Sequence, residues 1–178
     1  YIKEWGMEQI VRDARIAMLY EGTNGIQALD LLGRKVVASD GALLNGFVQD
    51  VQEFIEQHQG QSQQSALLDN LQRQLERWQS LSRGIIDQAS KDPAAIGAAS
   101  FDFLLYSGYT VLAYLLLRSA MVAEGKLKDH ADDGFYQAKL DTARFYFDHV
   151  LPRNEGLAVS ILAGPDSMMN NQLETLDR

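Results

Sequence analysis

The one turn in this sequence that could do chemistry is Tyr20-Glu21-Gly22-Thr23-Asn24-Gly25-Ile26-Gln27. The chain breaks at Gly22 and restarts with Thr23 or Asn24, either of which can cap a following helix. A carboxylate at such a break can face a cavity rather than solvent. The backbone N–H groups that open the next helix lie a few residues beyond it and suit a phosphate or another anion. One turn therefore offers a base, Glu21, beside an anion seat. Spacing alone favours a plainer reading, a helix–turn–helix corner whose Glu21 is a solvated charge.

Two helices must hold that turn. Met7, Ile10, Val11, Ala14 and Ala17 fall at helical spacing and predict a helix over Met7 to Leu19. Ile26, Leu29, Leu32 and Val36 predict a second over Ile26 to Val37. Arg12 and Asp13 read as charge pairing that steadies the first of them.

The run Arg12-Asp13-Ala14-Arg15-Ile16, then Tyr20-Glu21-Gly22-Thr23 and Ile26-Gln27, resembles the signature near the end of the catalytic region in acyl-CoA dehydrogenases. The lead-in Tyr1-Ile2-Lys3-Glu4 with Met7-Glu8-Gln9 fits the same family. The likeness covers about residues 1–37, and several separated identities fall at the right spacing. It implies α,β-dehydrogenation of an acyl-CoA thioester, with Glu21 similar to the base that removes the α-proton and FAD taking a hydride from the β-carbon. It also implies that the Glu21 N–H helps to bind the thioester oxygen and that Gly22 leaves room for the thioester. Thr23, Asn24 and Gly25 stand where the family contacts FAD, although many relatives carry a larger polar residue where this chain has Gly25. An electron-transferring flavoprotein as acceptor and a homo-oligomeric state follow from the same resemblance. Two other readings stay open: an oxidase or DNA-damage-response branch of the same fold group, and a non-enzymatic helical module for subunit assembly.

Composition narrows the classes. The net charge of −8, with 16 scattered basic residues, argues against a nucleic-acid surface, which needs clustered Lys and Arg. Zero cysteines exclude disulfides and thiolate metal sites and fit a reducing cytoplasm. His58, His130 and His149 are too dispersed for a zinc site, so no metal is expected. The chain opens at Tyr1 with no signal peptide, already inside the lead-in to the motif, and reads as a fragment of a longer protein.

Beyond Val37, Ala38-Ser39-Asp40-Gly41 reads as a turn, and four longer helices follow. Ala42 to Gln57 carries Leu44, Phe47, Val48, Val51, Phe54 and Ile55 at a 3.6 period. Gln59 to Ser65 is an uncharged polar loop. Leu67 to Ser90 places Leu71, Leu75, Trp78 and Ile85 on one stripe, with Gly84 as an interior weak point. Asp92-Pro93 signals the next start. Ala94 to Ala123 is the most apolar stretch. Its uncharged run Phe103 to Leu117 falls short of the ~20 residues of a membrane span, so it reads as a central helix surrounded by neighbours. Tyr136 to Leu151 alternates steps of four and three, Pro152 ends it, and Asn154 to Ala163 predicts a short last helix. The expectation is an all-α protein, a helix–turn–helix remnant followed by an up-down four-helix bundle. Residues 1–37 would close the catalytic helical domain. Residues 41–178 would form the appended domain, which more loosely resembles the C-terminal module of the larger acyl-CoA dehydrogenases.

Overall fold

The structure, a computed structural model, describes residues 3–20, 23–60, 64–128 and 134–169. Among these every regular element is helical and none is a strand, as the sequence predicts. After a 3₁₀ turn at Lys3–Trp5 come α1 (Met7–Leu19), α2 (Asn24–Leu29, continuing as a π-helical segment Asp30–Val37), α3 (Ala42–His58) and α4 (Ser65–Ala89). Then follow α5 (Ala94–Leu127), α6 (Gly134–Phe145, continuing as a π-helical segment Tyr146–Val150), α7 (Arg153–Ile161) and the single turn α8 (Asp166–Met169).

The helices stop and start where local chemistry requires it. Asp40 and Gly41 both adopt positive φ and turn the chain between α2 and α3, while the Ser39 hydroxyl donates to the Lys35 carbonyl and accepts the Leu43 N–H. Asp92 begins α5 as a cap, its carboxylate accepting the Ala94 N–H at 2.9 Å. Gly164, at φ 77°, ends the turn after α7.

Packing is organised around α5, which touches α2 and its π-helical continuation, α4, α6 and α7, while α3 lies against α4 and the α2 continuation. Ala95, Ala99, Phe103, Tyr106, Thr110, Ala113 and Leu117 alternate steps of four and three along α5 and are all buried. They meet Leu71, Leu75, Trp78 and Ile85 of α4, the predicted stripe, now fully inside. Leu32 and Val36 of the α2 continuation belong to this same core. Aromatic edges lock the centre: Phe47 of α3 meets Trp78 and Tyr114 in T-shaped pairs at 6.2 Å, and Trp78 lies 6.5 Å from Phe103.

One expectation needs correcting. Helix α5 is not surrounded, because its neighbours gather on one side of it. The opposite side carries Phe101, Leu105, Leu112, Leu115 and Val122, all exposed and keeping the same seven-residue rhythm. By length and composition alone α5 could cross a bilayer. Its small buried residues instead let α4, α6 and α7 approach closely.

Gly84 also reads differently in three dimensions. A Cβ there would stand 2.9 Å from Cδ2 of Leu162, so the glycine marks where the end of α7 crosses α4.

Candidate functional site

The motif lies at the periphery. Helix α1 buries no residue, and Met7, Ile10 and Ile16 are exposed, so its apolar stripe has no partner among the described residues. Its polar residues pair within the helix. Arg12 bridges to Glu8 at 2.8 Å and Gln9 donates to Asp13 at 2.6 Å, so Arg12 and Asp13 steady α1 and reach no other element among the described residues.

Glu21 and Gly22, the expected base and the glycine expected to leave room for the thioester, lie outside the described residues. On either side of them the chain is exposed, with Tyr20 closing α1 and Thr23, Asn24 and Gly25 opening α2. Thr23 occupies the position before α2 without a side-chain cap, and the Gln27 N–H bonds back to the Thr23 carbonyl at 2.9 Å. A Cβ at Gly25 would meet open space. Ala28 is the first buried residue, and from there the α2 continuation runs into the core. The motif is thus anchored on one side by α5 and open on the other.

A second polar centre, spread too widely for any spacing to predict, lies between α4, α5 and α7. The Tyr106 hydroxyl donates to Oε1 of Gln74 at 3.2 Å and approaches the Gln74 carbonyl at 3.3 Å. Nδ2 of Asn154 donates to the same Oε1 and to Oγ1 of Thr110, both at 3.1 Å. Tyr106, Thr110 and Asn154 are each 1% exposed.

Burial holds the Tyr106 phenol neutral far above the ordinary tyrosine range; nearby Arg77 opposes the shift and Glu155 adds to it. Tyr146, which donates to the Tyr109 carbonyl at 3.0 Å, is pushed up to about 12, mainly by burial and then by Tyr109, with Arg153 opposing. Both raised values favour the protonated folded chain. Below pH ~10 folded and unfolded chains hold these protons alike. Above it the unfolded chain releases them first, so stability falls as pH rises. Urea unfolding midpoints should therefore drop between pH 10 and 12, and the double change Tyr106→Phe with Tyr146→Phe should flatten that drop.

Three open clefts deserve comparison. One, of about 780 Å³, lies between α3, α5 and α6 and carries His58, Arg118 and Lys139 among aromatic walls. Another, of about 490 Å³, lies between α4 and α7, beside the Gln74 centre. The third, of about 270 Å³, lies beside the α2–α3 turn. Among the described residues no three His, Asp or Glu side chains gather as metal ligands.

Comparison with known proteins gives this geometry its context. Residues 47–172 match the family described as "Acetyl-CoA dehydrogenase C-terminal like". The chain is 36% identical to a 3-methylmercaptopropionyl-CoA dehydrogenase of Ruegeria pomeroyi over 85% of its own length and 26% of the relative's. It is 31% identical to a broad-specificity linear acyl-CoA dehydrogenase of Mycobacterium tuberculosis, again over 85% and 26%. A butyryl-CoA dehydrogenase of Syntrophomonas wolfei matches at 27% over 85% of this chain and 25% of the relative. The chain thus spans about a quarter of the length of these relatives.

Proposed function

Because the chain belongs to the acyl-CoA dehydrogenase family, matching it through the C-terminal domain, we propose that it is the C-terminal part of an FAD-dependent enzyme that introduces an α,β double bond into an acyl-CoA thioester. The observation that supports this most directly is the agreement of two separate stretches. The C-terminal domain match covers residues 47–172, while the motif around Glu21 precedes it at the end of a helix whose apolar face is open. We take residues 1–37 as the close of the catalytic domain and 41–178 as the appended one.

In this reading Glu21 accepts the α-proton. That proton is only weakly acidic beside a thioester, so the base gains from desolvation and the developing enolate from hydrogen-bond donors. The Glu21 N–H supplies one such donor, and Gly22 lets the thioester come close. Thr23, Asn24 and Gly25 would hold the FAD, a role consistent with their exposure at the start of α2 and the open space at Gly25. The flavin, when bound, takes the hydride from the β-carbon. An electron-transferring flavoprotein as acceptor, a homo-oligomeric assembly and a cytoplasmic location complete the proposal.

The test joins this chain to the upstream region of a full-length relative and adds acyl-CoA under anaerobic conditions. Bleaching of the flavin followed by turnover with an artificial acceptor supports a dehydrogenase. Efficient turnover with oxygen moves the chain to an oxidase branch, and no bleaching with any acyl-CoA overturns the proposal. The 178-residue chain alone should purify colourless and inactive, because the exposed motif holds one side of a cofactor site. A yellow preparation refutes that.

A further inference from the structure

The cleft between α4 and α7 is built differently from an ordinary surface groove. Its floor is apolar, formed by Phe147, Leu151 and Pro152. Its α4 wall presents Arg73 and Arg77 one turn apart, and neither guanidinium forms an ion pair among the described residues. Between them Gln74 lines the same cleft. Its Oε1 is turned inward, where it accepts from both Tyr106 and Asn154.

Two buried polar groups from two other helices are therefore used to orient one carboxamide. Burying such groups costs stability unless each is satisfied, and among the described residues Oδ1 of Asn154 still lacks a partner. A network meant only to hold helices together could end on any backbone carbonyl. This one fixes which face of Gln74 is the acceptor and leaves the Nε2 donor, which has no partner among the described residues, to the cleft. One carboxylate, Glu155, stands on the α7 side against two arginines.

The geometry points to a binding site for a small-molecule oxyanion, phosphate or carboxylate, carried on a ring or apolar body. Arg73 and Arg77 bind the oxyanion as guanidinium donors, Gln74 adds an oriented neutral donor, and the body rests on Phe147 and Leu151. Glu155 then selects against ligands carrying a second negative charge on the α7 side. The inference stands apart from the role of Glu21.

The experiment follows the backbone amides of residues 70–77 by NMR while the 178-residue chain is titrated with inorganic phosphate, phenyl phosphate or benzoate. Saturable shifts with phenyl phosphate tighter than inorganic phosphate support a phosphate site with a body-binding floor. A preference for benzoate supports the carboxylate form of the same site. Changing Arg73→Gln together with Arg77→Gln should weaken binding by roughly tenfold or more, as loss of charged hydrogen bonds implies. Gln74→Glu separates binding from structure. A carboxylate still accepts from Tyr106 and Asn154, so the thermal midpoint should hold, yet it removes the donor and adds repulsion, so affinity should again fall by roughly tenfold or more. Arg118→Gln, in the other cationic cleft, should change nothing. Absence of saturable binding by all three probes at millimolar concentration overturns the inference, as does unaltered affinity in the double arginine variant or in Gln74→Glu.

Discussion

Glu21→Gln should slow acyl-CoA-dependent flavin bleaching by roughly 10²- to 10⁴-fold, the usual worth of a positioned general base, in a polypeptide that joins this chain to the upstream region of a relative, if Glu21 acts as proposed. Gln has nearly the volume of Glu and keeps the backbone N–H at position 21, so thioester binding and flavin content should survive. What it cannot do is accept a proton. The loss should therefore appear in the bleaching rate and leave the half-saturating acyl-CoA concentration nearly unchanged, the pattern of an interaction made only in the transition state. Arg12→Gln is the matched control. Its ion pair with Glu8 is local to α1 and largely solvent-exposed, and such pairs contribute little. Bleaching at the normal rate in Glu21→Gln removes that side chain from the mechanism.

The helices were legible because burial imposes a period. Helix α1 runs over the predicted Met7–Leu19, and α3 and α4 differ from expectation by one or two residues at their ends. The π-helical segments were not legible. Apolar spacing cannot separate an i→i+4 ladder from the i→i+5 bonds that join Leu151 to Tyr146 and Ala38 to Gly33. At the end of α6 the wider turn brings both Tyr146 and Phe147 inside and leaves Phe145 out. The Gln74 centre was invisible for another reason. Gln74 lies 32 positions from Tyr106 and 80 from Asn154, so only the assembled helices bring them together. Glu21 is marked out in the sequence as a candidate by type and spacing, and its position lies outside the described residues. That α2 and α7 pack on α5 as α4 and α6 do is likewise not carried by the period of any single helix.

The two faces of α5 give the second large effect. Phe103→Ala should lower the free energy of unfolding by about 3–5 kcal/mol. The ring is fully buried, lies 6.5 Å from Trp78 and occupies the centre of the stripe facing α4. Removing it takes away both its transfer free energy and the contacts around the cavity left behind, and the surrounding helices are too well tied to collapse into the gap. Phe101→Ala deletes the same atoms two residues away on the same helix. There the ring is 49% exposed and points to the unoccupied side, so the cost should stay within ~0.5 kcal/mol. Helix propensity cancels between the two, because both change Phe to Ala inside α5. Urea unfolding followed by circular dichroism measures both. A large gap between them is what a one-sided helix requires. Equal large losses would mean that the Phe101 face is covered in solution, and a dependence of the Phe101→Ala effect on protein concentration would then identify a second copy as the cover.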